Sequence, residues 1–125
     1  MILIDTNIFI YYLKNDKKIV EYFNHLKLTN ESINYSFINR IELLSFSQLD
    51  AKEEHLIKEM LDQFNYIGYD EKVEAKTIEL RKKYNIKIPD AIIAASALIN
   101  NCTLITRNES DFKNISDLKL FNSFQ

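Results

Sequence analysis

One glycine, one proline and one cysteine in 125 residues leave this chain without the parts that several chemistries require. Phosphate-cradling loops and dinucleotide fingerprints need several glycines, because the backbone must come close to the phosphate. Gly68 alone cannot build one, so ATP-driven and nicotinamide-dependent reactions are not expected. The lone Cys102 excludes an intrachain disulfide framework and a multi-cysteine zinc site. It is read as a small apolar packing residue after a buried helix. His25 and His55 stand far apart, in no metal-ligand spacing, and are assigned to the surface.

Long apolar runs are also missing. Residues 1–4 are apolar, but Asp5 ends the run and no basic start precedes it, unlike a secretory signal. Residues 91–99 are half the length of a membrane span and include Ser96. A soluble, cytoplasmic protein with no membrane contact is the expectation. An excess of positive charge is missing too: the net charge is −2, which does not suggest a nucleic-acid binder. If four acids serve one cation site, however, the remainder is weakly basic, and bound divalent ions make the site less repulsive to phosphate. With no linker, repeat or low-complexity tract, and 46% hydrophobic residues, residues 1–125 are expected to form one domain.

Strands and helices alternate along the chain. Residues 1–5, 32–36, 66–68, 103–106 and 118–121 read as short strands. Helices are expected over 8–13 and on to about residue 27, where Ile19, Val20, Phe23 and Leu26 keep helical spacing. A third begins near Phe37 and keeps its period through Ile38, Ile41, Leu44 and Leu49. Others cover 50–64 and a segment capped by Asp70, with Val73, Thr77, Leu80 and Tyr84 on one face. Residues 91–99 are apolar nearly all round and read as a buried central helix. The alternation indicates an α/β sandwich with a mostly parallel sheet.

In such sheets ligands bind beyond the carboxyl ends of the strands. That rule selects Asp5 at the end of the first strand, and Thr106, Arg107, Asn108 and Asp111 at or past the end of a later one. It also selects Asp90, which opens the buried helix, and Glu42, on the helix after the second strand. Each has a plainer reading. Asp5 is a good helix N-cap, although Thr6 and Asn7 can cap as well. Asp90, after Pro89, is an ordinary helix start, and Asp111 sits in a polar loop. Glu42 shares a stripe with Ile38, Phe46 and Leu49, so its charge needs a partner, a metal or a route to water. Taken together, four acids without soft ligands suit a hard cation such as Mg²⁺ or Mn²⁺.

The same residues carry a family resemblance that spans nearly the whole chain. Met1-Ile-Leu-Ile-Asp5-Thr6-Asn7, Asn39-Arg-Ile-Glu42-Leu43-Leu44, Ile88-Pro89-Asp90-Ala91-Ile92-Ile93 and Leu104-Ile-Thr106-Arg107-Asn108-Glu-Ser-Asp111-Phe112 follow in the order of the PIN-domain nucleases. Within that family the sequence resembles the VapC-like toxins of toxin–antitoxin pairs. The resemblance implies a PIN-like three-layer α/β/α sandwich and Mg²⁺- or Mn²⁺-dependent RNA cleavage leaving a 5′-phosphate and a 3′-hydroxyl. Asp5 and Asp90 would be the principal metal ligands. Glu42 and Asp111 would complete the pocket, supported by Thr6, Asn7, Thr106, Arg107 and Asn108. A homodimer and a cognate antitoxin, laid into a groove as a helix or extended arm, are also implied. The sequence departs from the family in lacking a glycine shortly after Glu42. Asn108 stands where many relatives have an acid, leaving Asn108 and Asp111 as alternatives for the fourth position; the acid is the better ligand.

Phe9, Tyr11, Tyr12, Tyr22 and Phe23 are read as core first, with a partner groove or base stacking as alternatives. Lys14, Lys17, Lys18, Arg81, Lys82 and Lys83 are read mainly as solvated, and Arg107 as the best phosphate contact. Two other functions compete with the nuclease. One is a partner subunit of a DNA-binding regulatory complex with little nuclease activity. The other is a phosphohydrolase with Asp5 as nucleophile, which lacks the usual second Asp because residue 7 is Asn.

Overall fold

A computed structural model describes residues 1–124. Five strands form one sheet: β1 (Ile2–Ile4), β2 (Ile33–Ser36), β3 (Asn65–Ile67), β4 (Thr103–Ile105) and β5 (Leu120–Phe121). Their order is β3-β2-β1-β4-β5, and every neighbouring pair is parallel. The mostly parallel sheet expected from the sequence is therefore fully parallel among the described residues. Seven helices connect the strands: α1 (Thr6–Leu13), α2 (Lys17–Leu28), α3 (Phe37–Leu44), α4 (Ala51–Asp62), α5 (Glu71–Lys83), α6 (Ile88–Ile99) and α7 (Glu109–Phe112).

The period of two in the strands sorts side chains between two cores. Ile2 and Ile4 of β1, Ile33 and Tyr35 of β2 and Ile105 of β4 join Phe9, Phe23, Ile57 and Leu61 on one face. Leu3 and Leu104 point the other way and pack with Val73, Leu80, Ala91, Ala94 and Cys102. The result is the expected three-layer sandwich, with α1, α2 and α4 on one side and α5 and α6 on the other. Cys102 is buried, as a packing residue should be. No described helix is long and apolar enough to cross a membrane.

Glycine scarcity has a structural counterpart. The residues in the left-handed region are Asn15 (φ 60°), Asn101 (φ 54°) and Asp117 (φ 67°). Asn and Asp tolerate this conformation because their short polar side chains hydrogen-bond locally. Asn15 turns the chain between α1 and α2, and Asn101 turns it between α6 and β4.

Some boundaries depart from the sequence expectation. α3 stops at Leu44, where the Ser45 hydroxyl donates to the Ile41 carbonyl. Ile41 and Phe46 are exposed, so the apolar period that ran to Leu49 crosses a helix end. α6 starts at Ile88 and takes Pro89 into its first turn, where the missing N–H is no loss. β4 ends at Ile105, and β5 is shorter than residues 118–121. Asp111 lies in the short α7 rather than in an irregular loop.

Phe9 and Phe23 are fully buried, which supports the core reading of the first aromatic cluster. Phe9 meets Phe23, Tyr35 and Phe64 at ring-centroid distances of 6.3, 6.4 and 6.0 Å. Phe9→Ala should lower unfolding stability by about 3–5 kcal/mol, the range for an aromatic-to-alanine cavity. Urea melts of the two proteins will measure it.

Candidate active site

Sheet order places the topological switch between β1 and β4: the chain runs outward from β1 to β2 and β3, then returns to place β4 on the other side. Asp5 follows β1 and Thr106 follows β4, so the two face each other at the mouth of the switch-point crevice. The Thr106 hydroxyl donates to Asp5 Oδ2 at 2.7 Å across 101 residues of sequence. The Thr6 backbone N–H donates to Asp5 Oδ1 at 2.8 Å, so Asp5 also serves as the N-cap of α1. Capping and site membership, alternatives on sequence grounds, coexist in one carboxylate.

Glu42 reaches the same edge from α3. The Thr6 hydroxyl donates to its Oε1 at 2.7 Å. Asn39 Nδ2 donates to Thr6 Oγ1 at 2.9 Å, and Asn39 Oδ1 accepts from the Ser36 N–H at 2.7 Å. A hydroxyl that accepts an N–H must direct its own proton elsewhere, so Asn39 aims the Thr6 proton at Glu42. The second threonine works alike: the Asn108 N–H donates to Thr106 Oγ1 at 3.0 Å, leaving the Thr106 proton for Asp5. Glu42 is therefore not stranded among apolar neighbours. It is half-buried and hydrogen-bonded, while Phe46 turns outward.

α6 runs back toward the start of β4, which brings its N-terminus and Asp90 to this edge. Asp90 is not the cap: Lys87 occupies that position and makes no side-chain capping bond. Asp90 thus keeps its carboxylate free of the duty that its local sequence suggested. Burial raises its pKa, and Asp111 and then Glu42 raise it further, against a lowering by Lys87. Burial likewise pushes Asp5 up to about 6. The bonds from Thr106 and Thr6 pull the other way, while Asp90 and Glu42 add to the rise. Asp5, Glu42 and Asp90 therefore share one electrostatic neighbourhood, and Asp111 joins it through Asp90. Asp90 and Asp111 both line a cleft of about 300 Å³ with Tyr84, Lys87 and Asn114.

Among the supporting residues, Thr6 and Thr106 are buried inside this network. Asn108 engages it through its backbone, with its side chain exposed. Asn7 Oδ1 is buried and has no hydrogen-bond partner. Arg107 lies outward, donating to the Tyr11 hydroxyl at 2.8 Å. His25 and His55 are exposed, and neither belongs to the site. Asn39 is the site residue that sequence reasoning misses. A Ser-x-x-Asn capping box one turn ahead of Glu42 is the signal that could have found it.

As placed, no three carboxylates or other ligating side chains among the described residues close on a common point. The donor set nonetheless fits a hard divalent cation. It offers only oxygen ligands, and hydroxyls hold Asp5 and Glu42 while the exposed Lys87 eases only Asp90. Mg²⁺ commonly takes one or two carboxylates and retains its waters, so it does not need three converging acids.

Acids at the switch point of a fully parallel three-layer sandwich define a class of α/β proteins with a candidate ligand-binding edge there. The PIN domain family model matches residues 2–118. The chain is 32% identical to Ribonuclease VapC1 of Haemophilus influenzae, over 94% of this chain and 93% of that protein. It superposes on VapBC-1 from nontypeable Haemophilus influenzae with a TM-score of 0.85 and 30% identity, covering 100% of both chains. Against VapBC2 from Rickettsia felis, bound to a DNA fragment from their promoter, the TM-score is 0.86 with 30% identity and 98% of each chain covered. The chain belongs to the PIN-domain family and stands among its VapC-like members.

The raised Asp5 pKa makes a stability prediction. Below pH 3.8 Asp5 is protonated in both folded and unfolded chains. From there to about 6 the unfolded chain ionises first, so folding stability falls as pH rises, and the loss is complete above 6. Asp5→Asn should therefore stabilise the metal-free protein by about 1–3 kcal/mol at pH 7.5. The gap should close at pH 3.5. Denaturant melts at the two pH values will show whether it does.

Proposed function

We propose that this chain is a Mg²⁺- or Mn²⁺-dependent endoribonuclease and the toxin of a toxin–antitoxin pair. The observation that carries the reading is the set of Asp5, Glu42, Asp90 and Asp111 around the switch point: neutral donors hold Asp5 and Glu42, and among the described residues the set has no cationic partner but the exposed Lys87. The likeness to Ribonuclease VapC1 supports RNA as substrate, and the likeness to VapBC complexes supports an antitoxin partner.

Asp5 and Asp90 are the principal metal ligands in this reading. Bound divalent ions would orient the phosphodiester and lower the pKa of an attacking water. Glu42 and Asp111 extend the acidic edge on either side. Thr106 and Thr6 fix the rotamers of Asp5 and Glu42, and Asn39 and the Asn108 N–H fix the threonine protons. Water attack on phosphorus, with departure of the ribose 3′-oxygen, leaves a 5′-phosphate and a 3′-hydroxyl.

The first reading of the early aromatics, as core, fits the structure better than the alternative of a partner groove, so the proposed antitoxin groove lies elsewhere. The early aromatics are committed to the core or packed against it. Aliphatic residues line the groove instead: Ile10, Leu13, Leu43, Leu49 and Leu56, with Phe46 at its side. Such a surface suits the apolar face of an amphipathic helix. The proposed homodimer finds support in Ile78 of α5 and Ile88 of α6, which are both exposed and line one cleft. The Rickettsia felis complex with promoter DNA favours a second role, as a subunit of a DNA-bound complex with the antitoxin. That role is compatible with cleavage and needs no metal.

Purified protein should cut single-stranded RNA with Mg²⁺ or Mn²⁺ and not with EDTA. Asp5→Asn and Asp90→Asn should abolish cutting without loss of fold. Thr106→Val and Asn39→Ala should reduce it by about 10–100-fold, as losses of ligand-orienting residues do. Full activity in either aspartate variant would reject the two residues as metal ligands. Separately, Leu56→Asp should weaken co-elution with the antitoxin while leaving RNA cleavage by the free chain intact.

A further inference from the structure

Arg107 carries the one arginine side chain directly beside the acidic network, and it is not spent on the acids. Among the described residues it makes no ion pair with Asp5, Glu109 or Asp111. Aromatic groups hold it instead. The Phe124 ring lies 4.2 Å from its guanidinium carbon, and the Tyr11 ring 5.2 Å. The two rings pack edge-on at 4.8 Å and 70°. The Tyr11 hydroxyl accepts one guanidinium N–H.

The tail that brings Phe124 here is itself anchored. Lys18 Nζ donates to the Phe124 carbonyl, Asn122 Oδ1 accepts the Phe124 N–H, and Asn122 Nδ2 donates to Glu109. Cation–π contact stabilises the guanidinium without using its N–H donors, apart from the one taken by the Tyr11 hydroxyl. Among the described residues only one of its five N–H donors is committed. What remains is a planar, fully charged fork, fixed in direction and matched to the two free oxygens of a phosphodiester.

We propose that Phe124 and Tyr11 are positioning residues that hold Arg107 to grip an RNA phosphate flanking the one at the acids. The proposal rests on the nuclease reading of the acidic edge and adds a subsite to it. Tyr11 lies more than one turn along α1 from Thr6, so Arg107 is displaced from Asp5 along the edge. A neighbouring phosphate on the same strand, not the scissile one, is the group it meets. Phe124 acts through Arg107 and touches no reacting atom.

The test uses a fluorescein-labelled single-stranded RNA twelve-mer of mixed sequence. Binding is followed by anisotropy across a salt series in the Asp90→Asn background, and cleavage is followed in proteins that retain Asp90. Arg107→Ala should weaken binding about tenfold and reduce the slope of log Kd against log salt by about 0.7, one phosphate's share on a single strand. Phe124→Ala should reproduce most of both effects, Phe124→Trp should restore them, and the double variant should bind no worse than Arg107→Ala. In cleavage, Phe124→Ala should raise KM at unchanged kcat. An unchanged salt slope in Phe124→Ala, a loss confined to kcat, or additive effects in the double variant would overturn the proposal. If the expected pattern of binding is found but no protein cuts RNA with either metal, the nuclease reading falls and the phosphate grip stands.

Discussion

The hydrogen bond from Thr106 to Asp5 joins the ends of the two central strands, and the electrostatics of the whole edge follow from what kind of bond it is. A hydroxyl donor stabilises a carboxylate without cancelling its charge. An arginine or lysine in the same place would neutralise Asp5, lower its pKa and close the site to any other cation. Threonine at 106 and at 6, with Asn39 behind the latter, keeps Asp5 and Glu42 oriented but still negative. The burial that lifts Asp5 to about 6 is thus an energetic strain that the fold leaves unrelieved from within. Folds retain such strain at sites whose relief comes from outside, which in the proposed nuclease would be a divalent ion.

The positions of the acids were legible because topology does much of the selecting. Alternation of strand and helix implies a parallel sheet, and a parallel sheet has one functional edge. Asp5 and Thr106 fall there by being the last residues of strand-like runs. Asp90 falls there because the helix before β4 must run antiparallel to it. Less legible was the division of labour within each residue. Local sequence made Asp90 a cap, yet the cap position belongs to Lys87, and Asp90 stays free. Asn39 was hidden because a polar residue in a helix is ordinary by itself. Its importance comes from Thr6, 33 residues away, which no local pattern reveals.

Helical periodicity misled where it crossed a helix end. Ile41, Leu44 and Leu49 keep a spacing that suggested continuous helix, but the chain turns after Leu44 and Phe46 goes to the surface. The apolar residues that exceed the needs of the core are the ones that build the exposed groove with Ile10, Leu13 and Leu56. Conversely, the aromatic density of the first two helices could be core or partner surface on sequence grounds, with core the first reading. Phe9 and Phe23 fill the space between α1, α2 and the sheet, as a core with few small residues on that side requires. A pattern of apolar residues reports how much surface must be covered, and only the three-dimensional arrangement says whether the covering element is the chain itself.

Charge is separated along the edge rather than paired, and the separation explains how a chain of net charge −2 can approach a polyanion. If Arg107 closed onto Asp5 or Asp111, both would be satisfied, and neither a cation nor a phosphate would find an open partner. Tyr11 and Phe124 compete with that by giving the guanidinium an alternative of comparable stability that takes one N–H donor. The carboxylates are kept apart from it by hydroxyls, which consume only part of their accepting capacity. Both halves of the edge are therefore held by neutral groups in fixed directions, one half open to a cation and the other to an anion. In the proposed nuclease, a phosphodiester strand with a divalent ion would supply both at once.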